Sequence, residues 1–247
     1  MGAVAAGLLS RFKRHPFRTA AGLFVLAVLV WHLLIVGEAC VYRWVDPDPT
    51  PYMTLEKKRI AAEGKKVPFR HQWVPLARMG SNIKRAVIAS EDQKFLYHDG
   101  VDWDALEAAM EKRFERGKGG GASTITQQVV KNVFLTHEKS YVRKVREIVL
   151  SLVVDRIWPK SRTLEVYLNT AEFGEGIFGV QAASRYYFGC PASALSPSQA
   201  AFLAAILPRP RYYQRHRGSA YVARKASRIL AYMGKTPLRT EDESVVR

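Results

Sequence analysis

Glu91 and Asp92 open the stretch Glu91-Asp-Gln-Lys-Phe95-Leu-Tyr-His98-Asp-Gly100-Val-Asp102, directly after the apolar residues Val87, Ile88 and Ala89. A helix ending there sets both carboxylates at the negative end of its dipole, an unfavourable place unless a cation or a function compensates. A second carboxylate, Glu147, has Arg143 and Lys144 one turn before it, at i−4 and i−3. Between the two lies Gly119-Gly-Gly-Ala-Ser123-Thr124-Ile-Thr-Gln127-Gln128-Val-Val-Lys131-Asn132. It gathers small residues, hydroxyls and amides at a helix N-terminus, where free N–H groups suit phosphate. A diphosphate would give Lys131, Lys139, Arg143 and Lys144 a common purpose. Carboxylates and cations are thus the groups in this chain that could carry chemistry. Each feature also has an ordinary reading: a solvated helix end, a capped helix after a glycine loop, and a wet face with local ion pairs.

Other chemistries lack their signatures. The six histidines are scattered, and there is no G-x-S-x-G, H-E-x-x-H or Walker loop. The two cysteines, Cys40 and Cys190, have neither zinc-ligand spacing nor the density of a disulfide scaffold.

Helix-period segments have to position these residues. Ile83, Ala86 and Val87 mark the helix that ends in Glu91. Asp102 is an N-cap for the next helix, with Trp103, Leu106, Met110 and Phe114 on one face. Arg116-Gly-Lys-Gly-Gly-Gly121 breaks it, and Thr124-Ile-Thr-Gln127 has capping-box form. The helix at about 140–158 is stopped by Pro159. At 100° per residue it carries Val142, Val145, Val149, Leu152 and Val153 on one side and Arg143, Lys144, Glu147, Ser151 and Val154 on the other. Leu164 to Ala171 begins another helix, closed by Phe173-Gly-Glu-Gly176. Ser196-Pro-Ser-Gln199 starts one that ends at Pro208, and the last spans about Ala220 to Met233. Few stretches alternate as a sheet would require, so the domain is mainly α.

Ahead of all this, Thr19 to Gly37 is uncharged and apolar, about 28 Å as a helix against a hydrocarbon core of about 30 Å. Arg11, Lys13, Arg14 and Arg18 precede it, with no acid in residues 1–37, while mixed charges follow. This bias predicts a single-pass anchor with its N-terminus in the cytoplasm. A cleaved signal peptide, a lipoprotein signal at Cys40 and a buried core helix fit less well. Asp46-Pro-Asp-Pro-Thr-Pro51 reads as an extended linker. The net charge of +16 for 247 residues points to polyanionic partners, and residues beyond 37 still hold +12.

Four motifs in order carry a resemblance. Glu91-Asp-x-x-Phe95-x-x-His98-x-Gly100-x-Asp102, Ser123-Thr-Ile-Thr-Gln-Gln-x-x-Lys131-Asn132, Arg143-Lys144-x-x-Glu147 and Tyr167-Leu168-Asn169 with Gly174 and Gly179 resemble the peptidoglycan glycosyltransferases. Length and the single anchor are similar to the monofunctional members. Cys190, after Tyr187-Phe188-Gly189, stands where the family commonly has Lys, and Gln214-Arg215 departs from its usual Asn-Pro.

The resemblance implies a mainly α fold, one lysozyme-like helical glycosyltransferase domain after one transmembrane helix. The divisions it implies are a cytoplasmic segment 1–18, anchor 19–37, a linker or membrane-proximal segment 38–64, catalytic domain 65–235 and tail 236–247. It implies polymerisation of lipid II with inversion at C1 and release of undecaprenyl diphosphate. Glu91 corresponds to the general base and Glu147 to the second carboxylate. Ser123, Thr124, Gln127, Gln128, Lys131, Asn132, Lys139, Arg143, Lys144 and Asn169 correspond to substrate-binding residues, supported by Asp92, Phe95, His98 and Asp102. Partners implied are lipid II, the growing glycan strand and membrane lipid, touched also between about Phe114 and Phe134. Cell-wall synthesis and division proteins stay open as partners. The resemblance fixes no cofactor; a Mg or Mn ion at the substrate diphosphate stays open, with no protein metal site. The implied location is the bacterial inner membrane with a periplasmic catalytic domain. Two alternatives stand beside this: a peptidoglycan-cleaving enzyme, which has no need of cations beside its acid, and a nucleic-acid binder, at odds with the anchor and the carboxylates among the cations.

Overall fold

The computed structural model describes residues 16–117, 121–135, 138 and 140–238. Contacts divide the chain into two compact units, residues 1–44 and 45–247. In the first, helix α1 (Pro16–Tyr42) extends the uncharged segment at both ends. Phe17–Tyr42 is long and apolar enough to cross a membrane, with side chains such as Phe24 and Leu33 largely exposed.

The second unit begins with a helix that no signal in the sequence announced. The segment expected as a linker to residue 64 contains helix α2 (Pro51–Ala62). Thr50 caps it by accepting from the Met53 N–H, and Pro51 sits at the first helical position, where its missing N–H costs nothing. Met53, Glu56 and Ile60 are buried, so the helix belongs to the folded core.

Helices α3 (Ser81–Glu91), α4 (Trp103–Arg116), α5 (Ile125–Phe134), α6 (Tyr141–Ile157) and α7 (Lys160–Thr170) follow. Asp102 caps α4 by accepting from the Ala105 N–H at 3.0 Å. Thr124 and Gln127 form the reciprocal capping box of α5. A small sheet, unforeseen in the sequence, sets β3 (Ile177–Phe178) between β1 (Arg70–His71), parallel, and β2 (Glu172–Gly174), antiparallel. Its strands are two or three residues long, too short to show alternation. Helices α8 (Val180–Phe188) and α10 (Pro210–Arg215) also lacked a sequence signal, while α9 (Pro197–Ile206) and α11 (Ala220–Met233) match theirs.

α9 packs against α3 and α11, and α5 against α6 and α7. Ala200, Ala201, Ala204 and Ala205 are fully buried on α9; at i, i+4 spacing such small side chains let helices approach closely. Two apolar faces behave otherwise. On α4, Trp103, Met110 and Phe114 are exposed, and on α6 so are Val142, Val145, Val149 and Leu152. The side of α6 that packs inward is the one bearing Glu147, Leu150, Ser151 and Val154.

Gly100 fixes the loop that joins the site to α6. Its φ is +81°, and a Cβ there would lie 2.4 Å from the Ser151 carbonyl oxygen. Gly100→Ala should therefore cost about 2–4 kcal/mol, read as a lowered thermal melting temperature.

Candidate active site

Glu91 is the last residue of α3, as its position after the apolar run predicts. Its side chain is only 14% exposed and is held by three donors. Ser90 Oγ donates to Oε1 at 2.8 Å, Gln128 Nε2 to Oε2 at 3.2 Å, and Lys225 Nζ lies 3.4 Å from Oε1. Lys225 is the compensating cation that a carboxylate at a helix C-terminus needs. It comes from α11, 134 residues away, and nothing local in the sequence marks it.

Asp92 is buried and performs a different task. Both of its oxygens lie within 3.0 Å of His98 Nε2, and Oδ2 accepts the Ile125 N–H, the first amide of α5. A carboxylate at that helix end meets the positive pole of the dipole. Thr124 Oγ1 donates to the Gly100 carbonyl at 2.6 Å, closing the same corner. Phe95 is buried beneath, with Lys160 Nζ 5.0 Å from its ring centre; that ammonium also donates to the His98 carbonyl. Asp92, Phe95 and His98 thus lock the start of α5 against the end of α3.

Between these ends opens a cleft of about 290 Å³, lined by Ser90, Glu91, Asp102, Ala122, Ser123 and Thr124 among others. Ser123 Oγ accepts from Lys144 Nζ at 3.0 Å. Lys144 also pairs with Glu147 Oε1, and Arg143 Nη1 with Oε2, both at 2.5 Å. Glu147 is 3% exposed. The two carboxylates therefore share one basic surface, joined through Ser123 and Lys144.

Lys131 links them electrostatically. Burial pulls its ammonium below the ordinary lysine range; the carboxylates of Glu147 and Glu91 push it up again, and Arg143 and Lys144 push it down. Among the described residues it has no ion-pair partner, so its charge remains open to a ligand. Tyr167, fully buried, donates to Gln128 Oε1 at 3.3 Å. Burial raises its phenol well above the usual value, helped by the fields of Glu91 and Asp92, and so keeps it a donor. Tyr167 and Gln128 thereby orient Glu91.

Not every expected ligand residue reaches the cleft. Asn169 is fully buried and its amide is spent: Oδ1 accepts the Val74 N–H at 2.8 Å, and Nδ2 donates to the carbonyls of Val74 and Glu165 at 2.9 Å. It is a backbone clamp, which corrects its expected substrate contact. Gly179 belongs to the same structural unit, because a Cβ there would lie 2.7 Å from the Asn169 carbonyl oxygen. Gln127 is 1% exposed and tied into the capping box, and Asn132 is buried as well. Lys139 lies outside the described residues. Asp102 lines the cleft while capping α4.

Among the described residues no group of three or more His, Cys, Asp or Glu is placed to hold a metal ion, and Glu147 already carries two cations.

Asn169→Ala should lower stability by about 1–3 kcal/mol, because the Val74 N–H is left buried and unpaired. A fall in melting temperature checks this; a ligand-contacting residue would leave it unchanged.

Comparison with known proteins agrees with this arrangement. A family model described as Transglycosylase matches residues 57–234, starting inside α2 and ahead of the boundary expected at 65. The biosynthetic peptidoglycan transglycosylase of Dechloromonas aromatica (strain RCB) is 45% identical over 230 residues, 92% of this chain and 96% of that protein. Proteins of the same name from Herminiimonas arsenicoxydans and Chromobacterium violaceum are each 43% identical, over 87% and 90% of this chain and 93% and 98% of their own lengths. The Glu91 and Ser123–Thr124 motifs line one cleft, the Arg143–Glu147 motif joins it through Lys144, and the match spans nearly all of the second unit: this chain is an enzyme of the transglycosylase family.

Proposed function

We infer that this chain builds the glycan strands of the cell wall. It is a peptidoglycan glycosyltransferase, and its substrate on this reading is lipid II, a disaccharide-peptide carried on undecaprenyl diphosphate. The observation that carries the reading is the cleft in which Glu91 faces Ser123, itself bonded to the Arg143–Lys144–Glu147 cluster. A hydrolase would have no use for cations at that place.

Glu91 acts as general base. It takes the proton of the acceptor's sugar 4-hydroxyl as that oxygen bonds to C1 of the donor, and the C1–O bond to the diphosphate breaks with inversion. A diphosphate leaves readily once its charge is neutralised, so it needs cations more than a proton. Lys131, Arg143 and Lys144 supply them, with Lys139 as the family resemblance implies. Ser123 and Thr124 hold saccharide or phosphate oxygens at the cleft's edge. Glu147 keeps Arg143 and Lys144 on the inner side of α6, aimed at the cleft instead of at water. A Mg or Mn ion, where added, would be carried by the diphosphate, and activity with and without chelator reads its contribution.

Location follows from the same chemistry. The substrate's polyprenyl tail stays in the membrane, so α1 keeps the enzyme in the plane of its substrate and raises the effective concentration. The basic residues before α1 put the N-terminus in the cytoplasm and the catalytic domain in the periplasm, at the inner membrane. Met110 and Phe114 on α4, with Val142, Val145 and Val149 on α6, add apolar surface for lipid. Proteins of cell-wall synthesis and division are the partners this role implies.

Glu91→Gln should lower kcat on labelled lipid II by about 10²–10⁴-fold while lipid II still binds; polymer made at the wild-type rate would refute the base. Lys131 gives a pH test. Its lowered pKa means that the ammonium is lost at a lower pH than in a free lysine. Activity should therefore fall early on the alkaline side, and Lys131→Arg, which stays charged, should move that fall to higher pH.

A further inference from the structure

Residues 176–240 hold ten Lys and Arg and not one Asp or Glu. Of these, Arg211 pairs with Glu56 and Glu172, and Lys225 with Glu91. Helix α11 organises much of the remainder. Tyr221, Arg224, Lys225, Arg228 and Tyr232 stand at i, i+3, i+4, i+7 and i+11, so at 100° per residue they share one flank. Val222, Ile229 and Met233 pack inward from the neighbouring side. Lys225 lies 3.4 Å from Glu91, which brings this flank to the edge of the catalytic cleft.

The flank is built for a ligand that is partly ring-faced and partly anionic. Tyr221 is 40% exposed and stacks on Tyr213 with an interplanar angle of 3° and centroids 5.4 Å apart, so its outer face is fixed. Tyr232 is 52% exposed. Arg224 and Arg228 are exposed and have no acidic partner among the described residues. The exposed positions between them are Ala223, Ser227 and Ala231, not the large apolar side chains by which an interfacial helix enters lipid. A saccharide carrying a short peptide with free carboxylates has the matching chemistry: sugar rings pack on tyrosine faces, and guanidinium groups take carboxylates in two-point contacts.

Resting on the glycosyltransferase reading, we propose that this flank of α11 receives the stem peptide of the acceptor, the saccharide whose hydroxyl Glu91 deprotonates. Arg224 and Arg228 bind the peptide carboxylates, Tyr221 and Tyr232 flank the chain, and Lys225 marks the crossing from peptide to reacting sugar. The flank thus selects acceptors by their peptide charge.

The test compares full-length wild type with Arg224→Gln/Arg228→Gln on two substrates, lipid II with its peptide carboxylates free and lipid II with them converted to amides. Neither arginine touches the catalytic cluster, and melting curves check that the fold is kept. On free-carboxylate lipid II the variant should show a KM raised about five- to tenfold at unchanged kcat. On amidated lipid II the two enzymes should coincide, the wild type having lost its advantage. Equal KM values on the free-carboxylate substrate would overturn the proposal. So would an equal slowing on both substrates with weaker sedimentation on anionic phosphatidylglycerol vesicles, which would assign the flank to lipid. A wild type inert on both substrates would instead refute the glycosyltransferase reading, and this proposal with it.

Discussion

The site depends on one buried carboxylate and the two cations that accompany it. Glu147 is almost wholly removed from water, a costly placement unless the charge is matched and its oxygens are hydrogen-bonded. Arg143 and Lys144 meet both requirements from the preceding turn of the same helix. That arrangement decides which side of α6 faces in. The valines that ordinary patterning would bury are left outside, and the charged side packs inward, reaching Ser123 at the cleft through Lys144. Ser123 extends the cluster to the opposite lip, and Lys131, itself partly stripped of water, completes a positive surface whose free capacity suits a diphosphate.

A second layer holds Glu91. A carboxylate at the negative end of a helix is unstable in isolation, and here Lys225, Gln128 and Ser90 offset that cost from three different places in the chain. Gln128 is in turn held by Tyr167, whose buried hydroxyl donates to its Oε1. Asp92 joins the end of α3 to the start of α5 by binding an amide that would otherwise have no acceptor. Base and anion site are thus fixed relative to each other by hydrogen bonds at two helix ends.

What the sequence made legible was local. The capping boxes at Thr124 and Ser196, the cap at Asp102 and the stop at Pro159 depend on side chains within four residues of the backbone they satisfy, and all four are seen. The motif residues around Glu91 and Glu147 are linked through Ser123 and Lys144, and both carboxylates act on Lys131. Lys225 escaped notice because its partner is 134 residues away, and a lysine on a basic helix looks like any other. Asn169 misled for the opposite reason: a motif position can be kept by the backbone it clamps, and its residue type alone does not distinguish that from a ligand contact. The sheet went unseen because two or three residues carry no period. The valine face of α6 cannot be assigned from periodicity alone, since the side bearing Glu147 with its two cations packs inward in its place.

The segment after the anchor is bound to the domain almost from its first residue. Arg162 holds the Val45 carbonyl and Asp46, and His71 lies 3.3 Å from Asp48. Beyond them, Tyr52 and Glu56 of α2 join Arg211 and Glu172 in a buried cluster of hydrogen bonds and ion pairs. Tension arriving at residue 45 would therefore meet no slack. It would load the sheet strand bearing Glu172 and the short helix bearing Arg211, so that a drag on the nascent polymer is borne by folded structure and not by a loose tether.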